Sequence, residues 1–291
     1  MNTCPTCGAC VLYDLKAVDS VNELMTQWIN HLEAAGRSYA HIRKLKSNLR
    51  HHISPTMGNR DVKTISSKDV FNFYSELLEK NLAGKTIKHI FDALKSLLNH
   101  LYDLEVISKI PMFPNIKVLP AAKHWISVET QNQILNHLSS KYFLFIRVLM
   151  ETGMRPGEAR ALKLRDIDGT IITVERAIDE RGNIRPTKTN KVYRYPVSSG
   201  LIYQLRTRYH DYLPETPLFE LSKSGIQNAW TRACNIVGTS IPLYQACRHS
   251  KASQINEACE RDRLCQLQAA LQHEHVATTL KYYTLGSKER L

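Results

Sequence analysis

The N-terminal third of the chain repeats apolar residues at helical intervals. Val21, Leu24, Met25, Trp28, Ile29 and Leu32 lie on one face of a helix predicted over residues 20–32, with Ser20 and Glu23 spaced as a capping box. A second predicted helix, 38–53, is expected to stop at Ser54-Pro55, because the residue before a proline avoids the α region. A loop then leads to a capped helix over 67–79. Ile87, Ile90, Phe91, Leu94, Leu98 and Leu101 place a fourth over 86–102. Four helices in this span give an all-α domain, residues 18–110.

Pro111, Pro114 and Pro120 interrupt the pattern, and prolines at this density disfavour both helix and sheet. Residues 111–125 therefore read as a semi-rigid linker, and 126–291 as a second domain. That domain opens with helices predicted over 128–138 (capped by Ser127), 142–151 and 157–162, the second stopping at Gly153. Alternating polarity over 170–174, 184–187 and 192–197, with a turn at 180–183, predicts one small antiparallel sheet. Helices over 200–209, 225–235 and 244–260 follow. The expected fold class is mainly α with a small antiparallel β-sheet, divided into a helical domain and an α+β domain.

Charge adds a partner. A formal net charge of +12 points to a polyanion, nucleic acid before an acidic membrane surface. No apolar run approaches the ~20 residues of a membrane span and no apolar signal core opens the chain, so a soluble, cytoplasmic protein with no membrane partner is expected. The charge is also concentrated. Between Glu33 and Asp61 there is no acidic residue, while Arg37, Arg43, Lys44, Lys46, Arg50 and Arg60 lie there with His41, His51 and His52. A charge run is usually a solvated face, but an uncompensated one reads as a face that contacts phosphates. Residues 1–17 hold a different signal: Cys4, Cys7 and Cys10 form C-x2-C-x2-C. The C-P-T-C-G turn can present two thiolates to a structural zinc, although four ligands are wanted and no second C-x2-C follows. The bland reading is an oxidisable tail. Cys234, Cys247, Cys259 and Cys265 fall in helical patterns and read as reduced core thiols.

Near the C-terminus, L-Q-H-E-H-V-A-T-T-L-K-Y-Y sets His273 nine residues before Tyr282. Alone this is a weak signal, since a helical Tyr usually buries its ring and wets its hydroxyl. A phenol with a pKa of about 10 is protonated at neutral pH. To attack a phosphodiester it needs help with its proton and positive charge on the non-bridging oxygens. The chain supplies such cations: Arg155 in T-G-M-R-P-G-E-A-R, Lys188 in P-T-K-T and Arg248 in Q-A-C-R-H-S. The guanidinium fork matches a phosphate and keeps its charge. In this order, and ending in the spaced His–Tyr, these motifs resemble the tyrosine recombinase (phage integrase) family, over residues 18–283.

The resemblance implies a site-specific recombinase that cuts and rejoins double-stranded DNA through a 3′-phosphotyrosyl intermediate. Tyr282 would be the nucleophile, and Arg155, Arg248 and His273 would stabilise the pentavalent phosphate. Lys188 would protonate the leaving 5′-oxygen, and Glu158 would hold Arg155. It further implies that no cofactor serves the catalysis, that four protomers act on two duplexes, and that the protein works at the nucleoid. Two departures stand out. Gln245 occupies the position where the family usually has histidine. A glutamine can hydrogen-bond a phosphate but cannot take a proton near neutral pH, which leaves the base for Tyr282 open. The nine residues after Tyr282 are too few for a long tail helix docking on a neighbour. A type IB topoisomerase-like enzyme and a non-catalytic DNA-binding protein on the same fold remain as alternatives.

Overall fold

The computed structural model describes residues 20–118 and 124–258, with side chains through residue 255. The chain divides into two units, 1–121 and 122–291, each built on its own apolar cluster.

The first unit is helical: α1 (Val21–Ala34), α2 (Tyr39–Asn48), α3 (Ser54–Met57), α4 (Ser67–Glu79) and α5 (Gly84–Asp103). Side-chain caps start α1, α2 and α4. Ser20 Oγ accepts from Glu23 N (3.4 Å), and Ser66 with Asp69 completes a reciprocal capping box at α4. The six apolar residues of α1 are all buried and pack with Ile42, Phe73, Ile87, Phe91 and Leu94. Pro55 does not end the second helix. α2 passes into a π-turn at Leu49–Ile53, and α3 continues with Pro55 in its first turn. The π-turn shifts the hydrogen-bond ladder, placing the proline where a missing N–H leaves no bond unmade.

The basic stretch is also less bare than its order in the chain implies. Lys46 Nζ lies 2.6 Å from Glu33 Oε2, and Arg60 Nη1 lies 2.7 Å from Asp69 Oδ1. Burial, followed by the charges of Lys80 and His51, lowers the pKa of His52, so this ring adds no charge at neutral pH. Arg37, Arg43, Lys44 and Arg50 remain exposed, Arg43 over the ring of Tyr39. Residues 111–118 form neither helix nor strand but are tied to this unit. Met112 N donates to Ser67 Oγ (2.9 Å), and Phe113 meets Phe91 edge-on at 5.8 Å.

The second unit contains α6 (Val128–Asn136), α7 (Ser140–Thr152), α8 (Pro156–Arg160), α9 (Ser199–Arg208), α10 (Lys223–Val237) and α11 (Ser250–Ala258). Its strands are β1 (Ile167–Asp168), β2 (Ile171–Val174), β3 (Arg176–Ile178), β4 (Ile184–Pro186) and β5 (Tyr193–Pro196). They form two sheets rather than the one expected: β1-β2-β5 and β3-β4, all pairs antiparallel. The chain changes partner at Glu175. Next to it Arg176 turns inward to Asp166 Oδ2 (2.5 Å) and Ala161 O (3.2 Å). α7 supplies the centre of the core, where Phe145 meets Phe219 edge-on at 5.3 Å. Cys234 and Cys247 are buried free thiols, while Cys259 and Cys265 lie outside the described residues.

Candidate active site

α7 ends at Gly153, whose φ of 67° is left-handed and would strain any residue bearing a side chain. Arg155 follows in extended conformation, and Pro156 opens α8. One carboxylate grips Arg155 twice. The Arg155 backbone N–H donates to Glu158 Oε2 and its Nη1 donates to Glu158 Oε1, each at 2.8 Å. The Glu158 side chain is 1% exposed and that of Arg155 33%, so the acid belongs to the core and the guanidinium reaches the surface. Burial opposes charge on Arg155, but the hydrogen bond and charge of Glu158 outweigh it and raise the arginine's pKa. Gly157 lets α8 approach β3 this closely, because a Cβ there would stand 2.8 Å from the carbonyl oxygen of Ile178.

Arg248 comes from a π-turn, Gln245–His249, that runs into α11; the sequence pattern had suggested uninterrupted helix here. Arg248 is buried, and its Nη1 donates to the carbonyl oxygen of Gly153 (2.8 Å). The turn that sets out Arg155 therefore also receives Arg248. Buried polar groups brace the π-turn, whose carbonyls fall outside the ordinary helical ladder. Gln131 Nε2 donates to Ala246 O (2.7 Å), and Ser250 Oγ donates to Gln245 O (3.2 Å). Ser250 Oγ also accepts from Ile126 N (3.0 Å), and Gln254 Nε2 donates to Gln131 Oε1 (3.0 Å). The side chain of Gln245 is half-buried, and its Oε1 is buried with no hydrogen-bond partner among the described residues.

A residue not anticipated from the sequence stands with the two arginines. Tyr195 on β5 is buried and lies close enough to Glu158, Arg248 and Arg155 to feel their charges. Burial is the largest influence on the phenol and, with Glu158, pushes its pKa up to about 12. Tyr193, two residues earlier and on the same inward face, bonds Thr189 through its hydroxyl. Two inward tyrosines at strand spacing were the available signal, since buried Tyr hydroxyls usually find a partner. Lys188 is exposed in the turn after β4, which joins the two sheets rather than closing a hairpin. Buried Thr187 fixes that turn: its Oγ1 donates to Lys191 O (2.7 Å) and accepts from Lys191 N (3.0 Å).

Arg155, Glu158, Arg248 and Tyr195 thus come together in the second unit. His273, Tyr282 and Tyr283 lie outside the described residues, as do Cys4, Cys7 and Cys10. Among the described residues no group of three or more His, Cys, Asp or Glu side chains is placed to hold a metal ion. No described helix is long and apolar enough to cross a membrane.

The model of the phage integrase family matches residues 124–290, more than half of the chain. The chain belongs to that family. A second match, to the N-terminal SAM-like domain of phage integrases, covers residues 20–78. This integrase-family chain is 23% identical over 313 residues to a protein named Tyrosine recombinase XerC-like from Caldanaerobacter subterraneus subsp. tengcongensis, spanning 91% of this chain and 79% of that one. Its fold is that of the Tn1549 transposon integrase, solved with circular intermediate DNA (TM-score 0.76, 17% identity, 91% of this chain and 95% of that one). It is also that of a lambda integrase tetramer bound to a Holliday junction (TM-score 0.68, 13% identity, 88% and 78%). The protein is a site-specific tyrosine recombinase with the mainly helical, two-domain architecture expected. Neither the topoisomerase-like nor the non-catalytic alternative is favoured.

Proposed function

We propose that Arg155 and Arg248 clamp the two non-bridging oxygens of a scissile phosphate while Tyr282 attacks it. The observation that carries this reading is the convergence of both guanidinium groups on the Gly153 turn, one gripped by Glu158 and the other by the Gly153 carbonyl. Two fixed cations at developing negative charge are what a pentavalent phosphate requires. Tyr282 would form the 3′-phosphotyrosyl bond as the bond to the 5′-oxygen breaks. Lys188, on its braced turn, would give that oxygen a proton, a contribution worth ~10²–10⁴-fold for general acids. His273 would donate to the phosphate beside Arg248. Because the phosphotyrosyl link conserves the energy of the broken bond, neither ATP nor a divalent metal is needed. Four protomers on two duplexes, in the cytoplasm at the nucleoid, complete the reading. The purified protein, incubated in EDTA with nicked suicide substrates from the DNA flanking its gene, should become covalently attached to DNA. Absence of any adduct across that DNA would overturn the reading.

The half-buried amide of Gln245 supports a hydrogen-bonding role in place of histidine. Rotating the amide exchanges its oxygen and nitrogen, so the same position can accept from a phenol or donate to a phosphate. Gln245→Ala should slow adduct formation by about tenfold, the loss of a single well-placed hydrogen bond. Gln245→His should retain or raise the rate, with a pH dependence in the histidine range near 6–7. An alanine variant cleaving at the wild-type rate would exclude Gln245 from the chemistry.

In the first unit, Arg37, Arg43, Lys44 and Arg50 are the proposed phosphate contacts; Lys46 contributes less because Glu33 pairs with it. Removing Arg43 and Lys44 together should flatten the plot of log affinity against log salt by about 2, roughly 0.9 per contact. Lys46→Ala should change that slope by less than one contact's worth. A double variant with the wild-type slope would take this face out of the DNA interface.

A further inference from the structure

We propose that Gln131 is a positioning residue for strand cleavage: from α6 it holds the backbone of the π-turn that carries Gln245 and Arg248. The inference rests on the recombinase reading above and assigns a role to a residue outside the motifs that suggested it. Gln131 shares the inward face of α6 with Ile134 and Leu135, where an apolar side chain would satisfy the helical pattern. The residue there is instead a glutamine only 4% exposed, and burying an amide is costly unless it is hydrogen-bonded.

Both ends of that amide are used. Nε2 donates to the carbonyl oxygen of Ala246 at 2.7 Å, and Oε1 accepts from Gln254 Nε2 at 3.0 Å. One end meets an acceptor and the other a donor, so the amide is fixed in one orientation. Gln254 Nε2 also donates to Ile126 O (3.2 Å). Ile126 N donates to Ser250 Oγ, which in turn donates to Gln245 O. The segment entering α6 therefore grips the π-turn along two hydrogen-bonded arms, one ending on Gln245 and the other on Ala246. Ala246 lies between the two residues proposed to meet the phosphate. Arg248 is tied at its tip to the Gly153 carbonyl, whereas Gln131 acts on the backbone at its root. A π-turn departs from the regular helical ladder, so side-chain partners help to set how its peptides lie. A 1 Å misplacement at a reacting group can cost about 10²-fold in rate. A turn that keeps one of its two arms should shift less than that.

The test is single-turnover adduct formation on a nicked suicide substrate at saturating protein. Gln131→Met keeps the length of the side chain and deletes both hydrogen bonds. It should bind DNA within about twofold of the wild type yet form adduct about tenfold more slowly. Ile134→Val, on the same buried face, is the stability control. It trims the core without removing a bond to the turn, and should melt a few degrees low while cleaving within about twofold of the wild type. In an Arg248→Lys background Gln131→Met should cost less than about threefold, because much of the geometry it sets has already gone. Gln254→Met leaves Gln131 in place but frees its amide to turn, and should slow adduct formation about threefold. A wild-type rate for Gln131→Met overturns the proposal, as does one for Gln254→Met where Gln131→Met does not fold. An equal loss in Ile134→Val, or equal losses in both Arg248 backgrounds, would mark a purely structural role and overturn it too. If the wild-type protein forms no adduct on any flanking DNA, the recombinase reading itself fails; if it reacts and Gln131→Met matches it, only this inference does.

Discussion

Tyr282→Phe should form no covalent protein–DNA adduct while binding its DNA as tightly as the wild type. The phenol oxygen is the atom that becomes bonded to phosphorus, so its removal takes away the reaction rather than slowing it. Tyr283 cannot replace it. Successive helical residues point about 100° apart, so only one of the two adjacent phenols can face a given phosphate. In the sequence Val276, Leu280 and Tyr283 recur at helical spacing, a pattern that would set them on one apolar face and Tyr282 off it, nine residues from His273. Tyr283→Phe should therefore still form the adduct. Peptide mapping of the DNA to Tyr283, or any adduct from Tyr282→Phe, would show the register of this motif to be wrong.

What the sequence made legible was whatever repeats locally. The α1 face, the Ser20 cap and the Gly153 stop are short-range patterns, and each is present in the structure. So is the Arg155–Glu158 pair, whose spacing of three residues was readable. Partnerships across the chain were not. Alternation located strands but could not say that β4 pairs with β3 while β5 pairs with β2. The rule that a helix ends before proline is a one-residue rule, and a π-turn upstream of Pro55 sidesteps it. The basic stretch looked uncompensated because Glu33 and Asp69 bound or lie beyond it in sequence and reach Lys46 and Arg60 only through folding. Tyr195 comes within reach of the Arg248 charge for the same kind of reason: a strand register and a distant turn, neither encoded near the other.

The Arg155–Glu158 pair yields the second large effect. Glu158→Gln should lower single-turnover cleavage by about 10²-fold or more, with DNA affinity changed much less. The two carboxylate oxygens have different jobs, one accepting the Arg155 backbone N–H and the other its guanidinium. A glutamine keeps the shape but turns one of those acceptors into an NH₂ donor. Whichever way the amide sits, a donor then faces a donor, either at the start of α8 or at the guanidinium. Releasing the backbone contact loosens the turn after Gly153, and releasing the other lets the Arg155 fork swing away from the phosphate. The buried acid position then also holds an unsatisfied polar group, a destabilisation of about 1–3 kcal/mol that should appear as a lower melting temperature. Arg155→Lys separates the two consequences. It keeps the backbone bond and a positive charge but loses the planar fork, so it should cleave poorly while melting close to the wild type. If Glu158→Gln melted lower yet cleaved at the wild-type rate, Glu158 would be a structural acid alone, and Arg155 would need no orienting partner for catalysis.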